Sequence, residues 1–130
     1  MPSQHGLTFS ALRSANIRRL GLFTNRHGVS AHSEPDGSDW SPNDWMVATM
    51  GELGEAANVM KKIRRGDYTP DEKLGELAQE FSDVVIYLDL LAFQYGIDLG
   101  EAVKQTWNAK SRQIGIQLEL FDTYYVKGGA

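Results

Sequence analysis

Two acidic couples stand out among the side chains able to do chemistry: Glu52 with Glu55, and Glu80 with Asp83. Each is spaced i, i+3, so on a helix both carboxylates of a couple leave the same face. At roughly 100° per residue, Glu52 falls among Trp45, Ala48, Ala56, Val59 and Ile63, which form an apolar stripe. A carboxylate on such a stripe is desolvated, which is costly unless it is paired, protonated or bound to a metal. The second couple runs with Glu76 and Tyr87 along the border of another stripe, made of Leu74, Leu77, Phe81, Val84, Val85, Leu88 and Leu91.

The two couples also match in register. Glu52 and Asp83 stand equally far from the midpoint between Asp67 and Tyr68, and so do Glu55 and Glu80. In an antiparallel pair of helices, residues equidistant from the turn lie level. Four carboxylates then meet in one layer with few cations in the pattern. One i, i+3 couple is ordinarily a solvated face, and carboxylate clusters also serve ion-pair networks. Matched register, with one couple on an apolar stripe, shifts the balance toward a metal site, with a structural ion-pair network as the alternative. Like charges that close cannot all stay ionised without help. Oxygen-only donors select hard cations, Mg²⁺ first and Mn²⁺ as a substitute. Because Mg²⁺ keeps several waters and brings phosphates with it, the pattern points to phosphate-ester chemistry.

The elements that must position these acids are helical. Leu7 to His27 reads as a first helix, with Leu12, Ile17, Leu20 and Phe23 apolar and Gly28 as its stop. Val29 to Asn43 gathers Ser, Gly, Pro, Asp and His and reads as one long surface loop. Ser41 then caps a second helix with Pro42 at its first position, running to about Arg65 and ended by Gly66. Thr69-Pro70 repeats that start, with Asp71 and Glu72 in the first turn, for a third helix to about Tyr95 and a stop at Gly96. Asp98 to Glu101 resembles a capping box without Ser or Thr and opens a fourth helix to about Arg112. Ile116, Leu118 and Leu120 alternate with polar residues until Phe121 breaks the pattern, as in a short edge strand or an extended arm. The short link between helices two and three makes them antiparallel neighbours.

Composition sets the remaining bounds. The chain of 130 residues carries 13 Lys and Arg, 17 Asp and Glu, 3 His and no Cys, with 42% hydrophobic residues. That length suits a single domain, which buries roughly two-thirds of its unfolded surface. Without cysteine, disulfides, thiol catalysis and Cys-bearing zinc sites are excluded. A formal charge of −4 argues against nucleic acid as a partner. No signal-like apolar block or membrane-length run is visible, so a cytoplasmic protein without membrane contact is expected.

Gly51-Glu52-Leu53-Gly54-Glu55-Ala56-Ala57-Asn58, followed by Glu80-Phe81-Ser82-Asp83-Val84-Val85-Ile86-Tyr87, resembles the ExxE…ExxD signature of the MazG-like family. That family belongs to the all-α nucleoside triphosphate pyrophosphohydrolases. The likeness covers about 40–115 and includes Gly96 to Leu99 and the Trp107-Asn108 region. The helix and loop of 1–39 resemble longer, phage-type members more loosely, and 116–130 is an extended arm. The resemblance implies one MazG-like all-α bundle of about four helices, completed by oligomerisation as a homodimer or homotetramer. It implies that Glu52, Glu55, Glu80 and Asp83 hold Mg²⁺. It also implies hydrolysis of a nucleoside triphosphate between the α- and β-phosphates, giving monophosphate and pyrophosphate. Metal-activated water would be the nucleophile, with Glu55 or Glu80 as its base. The chain departs from the family at Thr106-Trp107-Asn108, where members often carry a lysine in the first place.

Lys104 and Lys110 flank that gap and, with Trp107, Asn108 and Arg112, are candidates for contacts to phosphate, sugar or base. Lys62 follows Glu55 by seven residues on nearly the same face, so it can pair with that acid or reach a phosphate. Lys61 and Arg65 are read as cations suited to a helix C-terminus, and Trp40 and Trp45 as packing residues. The rival reading is a non-enzymatic helical interaction module whose acidic face is solvated. A helix-turn-helix DNA binder using the 61–65 basic run fits poorly with the net charge and the helix lengths.

Overall fold

A computed structural model describes residues 6–31, 34, 39–121 and 125–126. The fold is all-α: α1 (Phe9–Leu20), α2 (Pro42–Arg65), α3 (Pro70–Gln94) and α4 (Leu99–Gln113). A two-residue antiparallel ladder, β1 (Glu119–Leu120) with β2 (Tyr125–Val126), follows α4. Among the described residues, no helix is long and apolar enough to cross a membrane.

The ends of α2 and α3 follow from local chemistry. The Ser41 hydroxyl accepts from the Asp44 amide while the Asp44 carboxylate accepts from the Ser41 amide at 2.8 Å, a reciprocal cap. Thr69 and Glu72 do the same at the start of α3. Pro42 and Pro70 occupy the first helical turn, where no amide is needed. Gly66 closes α2 at φ 89°, a left-handed conformation that costs a residue with a Cβ. Asp98 caps α4 by accepting from the Glu101 amide at 2.9 Å.

The first helix is shorter than its apolar spacing suggests. It ends at Leu20, with Gly21 as its C-cap, and not at His27. Beyond it, Asn25 organises a tight turn: its carboxamide oxygen accepts from the His27 and Val29 amides, and its own amide donates to the Val29 carbonyl. Thr24 bridges Ser30, and Gly28 supplies the positive φ of 74° that this reversal needs. Side-chain-to-backbone bonding by Asn25 therefore outcompetes continuation of the helix. Of the loop expected over 29–43, residues 32–33 and 35–38 lie outside the described set, and Pro42-Asn43 already belong to α2. Of the 116–130 arm, residues 122–124 and 127–130 lie outside it as well.

The core sits at the end of the α2–α3 hairpin farthest from its turn. Leu20, Trp45, Leu90 and Leu91 are buried together, with Trp40, Ile86 and Tyr87 against them. Trp45 stacks obliquely on Trp40 at 4.7 Å and faces Tyr87 at 6.3 Å between ring centroids. The two tryptophans are packing residues, as their positions suggest.

The helix α1 is locked on α3 by a buried carboxylate. Asp89 is fully buried, yet it accepts from Arg13 Nε at 3.1 Å and from Asn16 Nδ2 at 2.9 Å. Arg13 also donates to the carbonyls of Asp89 and Ile97, and its guanidinium lies over the Phe93 ring. At the other end of α1, a Cβ on Gly100 would lie 2.8 Å from Phe9 Cβ, so only glycine admits this approach of α1 and α4.

The apolar stripe of α3 divides in two. Leu91 is buried and Leu77 and Val84 are half-buried, whereas Leu74, Phe81, Val85 and Leu88 stand open to solvent. The exposed four repeat at i, i+7, i+11 and i+14, one continuous face. On α2, Met46, Met50, Leu53 and Met60 make a similar open face. One chain has too few helices to cover both sides of its central hairpin.

Replacing Asp89 by Ala should leave the Arg13 charge without its carboxylate, at a cost of about 3 kcal/mol. Urea unfolding of the two proteins measures this, and equal midpoints would exclude a structural role for the pair.

Candidate metal centre

The acidic residues come from the middle of the hairpin. On α2, Trp45, Thr49, Ala56 and Val59 are buried and Glu52 lies on the same face, so burial against α3 carries its carboxylate into the helix interface. Glu80 and Asp83 reach it from the border of α3. Glu52, Glu80 and Asp83 are each half-buried, and one oxygen from each lies within 4.8 Å of the others. Glu55, more exposed, hydrogen-bonds with Glu80. The level pairing read from the turn is thus present: all four acids meet in one layer.

The electrostatics follow. Partial burial, the hydrogen bond that the protonated Glu80 donates to Glu55, and the charges of Glu55 and Glu52 push the Glu80 carboxyl from 4.5 up to about 7. Burial, followed by the charges of Glu55 and Asp83, also raises Glu52. Tyr87, one turn beyond Asp83, is raised by burial and then by Glu52 and Asp83, while Arg19 opposes the shift. Among the described residues, no Lys or Arg forms an ion pair with any of the four acids. The layer holds uncompensated negative charge behind oxygen-only donors, a set suited to a hard divalent cation.

Beside the layer, a pocket of about 250 Å³ lies between α1 and the hairpin. Asp83 belongs to both pocket and acidic layer. Tyr87, Trp45 and Leu90 form the hairpin wall, and Arg19 and Leu20 come from α1. Sequence reading assigned nothing to Arg19, since α1 carries no motif and a helix-terminal arginine needs no ligand. Asp89 offered a signal: a lone carboxylate between Leu88 and Leu90 in the most apolar part of α3 demands a partner.

The remaining candidates lie elsewhere. Lys62 is half-buried near the end of α2 and makes no ion pair with Glu55. Lys104 pairs with Glu101 at 2.8 Å, and Lys110 bonds Gln113 at 3.4 Å. The Asn108 carboxamide is spent on Leu120, donating to its carbonyl at 2.9 Å and accepting from its amide at 2.7 Å. Arg112 pairs with Glu119 at 2.8 Å, and Trp107 is partly exposed on the same helix. Among the described residues, the contacts of Asn108, Lys110 and Arg112 run within α4 and to Glu119 and Leu120 of the arm.

The raised Glu80 makes stability depend on pH. The folded protein keeps this proton up to about pH 7, whereas the unfolded chain releases it near 4.5. Folding therefore takes up protons within that window, and stability falls as pH rises from 4.5 through 7. Thermal unfolding in chelator should show this decline in the native chain and a flatter profile in Glu80→Gln. Parallel profiles would mean that the four acids do not interact.

Compared with protein-family models, with curated proteins and with solved structures, the chain finds no match in any of the three.

Proposed function

We propose that this protein is a Mg²⁺-dependent nucleoside triphosphate pyrophosphohydrolase of MazG-like type, cleaving the α–β anhydride to release a monophosphate and pyrophosphate. The observation that carries the reading is the convergence of Glu52, Glu80 and Asp83, from two helices, within 4.8 Å, with no Lys or Arg among the described residues ion-paired to them. The ExxE…ExxD spacing of the same residues supplies the reaction class.

In this reading Glu52, Glu80 and Asp83 hold the ion. Bound there, Mg²⁺ supplies charge neutralisation for the phosphates and acidifies water. Glu55 stands outside that trio yet in hydrogen-bond contact with Glu80. It is the carboxylate best placed to accept the proton of the attacking water, with Glu80 next. Mn²⁺ should substitute, since the donors are all oxygen.

The native enzyme is proposed to be a homodimer or homotetramer, in the cytoplasm. Leu74, Phe81, Val85 and Leu88 on α3, and the open methionine face of α2, supply exposed apolar faces for a second copy. The alternative is a helical interaction module that uses this same face for another protein and carries no activity.

A panel of nucleoside triphosphates with Mg²⁺ should yield pyrophosphate. Glu52→Gln and Asp83→Asn should each lose more than the roughly 10–100-fold that removing even an outer partner of a metal ligand costs. Orthophosphate as product would place cleavage at another bond, and silence across the panel would favour the interaction module. In sedimentation, the native chain should run as a dimer or tetramer and Leu74→Glu as a monomer. A monomeric native chain would refute self-association.

A further inference from the structure

The pocket beside the acidic layer has a direction. Asp83 and Leu90 both line it, seven positions and roughly 10 Å apart along α3. The pocket thus leads away from the carboxylates for about two turns, past Tyr87 and Phe23, under α1, with the fully buried Trp45 behind them. A ligand whose phosphates lie at the acidic layer has its remaining part directed here, where aromatic surface replaces charge.

One cation faces this space. Arg19 comes from α1 and lies beside Tyr87. Among the described residues its guanidinium makes no hydrogen bond or ion pair, and its charge acts on the Tyr87 hydroxyl. Arg13, on the same helix, spends its guanidinium on Asp89 and Ile97. That bonding anchors α1 and leaves Arg19 to present its donors to whatever enters. A guanidinium is a rigid fork of N–H groups with no acceptor, matched to two adjacent acceptors on a planar partner.

We propose that this pocket seats the base of the nucleotide and that Arg19 selects bases with two adjacent acceptors, guanine through O6 and N7 or cytosine through O2 and N3. Adenine and uracil alternate donors with acceptors along their edges and cannot satisfy both prongs. The inference rests on the nucleotide reading above, but it concerns α1, which lies outside the segment carrying the acidic motif. It makes Arg19 a specificity residue, distant from the bond being cleaved.

The test compares GTP, CTP, ATP and UTP as Mg²⁺-dependent substrates of the native chain, Arg19→Gln and Arg19→Lys. In parallel, calorimetry follows binding of guanosine, cytidine, adenosine and uridine without metal. The native chain should favour guanine and cytosine in both assays. Both variants should lose that preference by about tenfold, since lysine keeps the charge but not the fork. Arg19 is exposed, so both variants should melt with the native chain. An equal loss on all four substrates would assign Arg19 to phosphate and overturn the proposal, as would unchanged ratios. Arg19-dependent nucleoside selectivity without hydrolysis would keep the pocket and discard the reaction. Hydrolysis with no base preference in either assay would do the reverse.

Discussion

The turn from Gly66 to Thr69 is the constraint on which the site depends. A left-handed glycine stops α2, and a threonine cap with proline restarts α3 four residues later, leaving little freedom in how the helices rejoin. Once the turn is set, each residue of α2 has a fixed height against α3. Glu52 meets Asp83 and Glu55 meets Glu80 because they are equidistant from that turn. Inserting a single residue there would rotate one couple by roughly 100° and disperse the layer.

That layer is locally unfavourable and is held by what lies on either side. Toward the free end of the hairpin, Trp45, Leu90, Leu91 and Leu20 form the core, and toward the turn Ala56 and Val59 continue the buried face. Apolar burial above and below forces the carboxylates together, and that burial, with the neighbouring Glu55 and Glu52, pushes the Glu80 carboxyl up to about 7. In the proposed function a divalent cation would balance this charge.

Docking of α1 depends on a different interaction. A helix with few buried apolar residues cannot rely on area alone, and it is fixed instead by Asp89 receiving Arg13 and Asn16. Bonded and directional, this contact sets both the position and the rotation of α1. The rotation decides which arginine is consumed and which faces the pocket.

Residues 41–66 and 69–96 carried their own structure in local chemistry, because caps, prolines and left-handed glycines act within a few positions along the chain. The i, i+3 acids and their register were legible for the same reason: helical geometry converts spacing into direction. The early end of α1 was not, since apolar periodicity continues past Leu20 and only the bonding of Asn25 diverts the backbone. Nor was the division of the α3 stripe into buried and open halves, which depends on how many helices arrive to cover it. The use of Asn108 and Arg112 to hold the arm, the partner of Asp89 and the place of Arg19 beside Tyr87 were also decided by tertiary structure. Each joins segments far apart in sequence, and spacing along one helix gives the direction of a side chain but not what is packed opposite it.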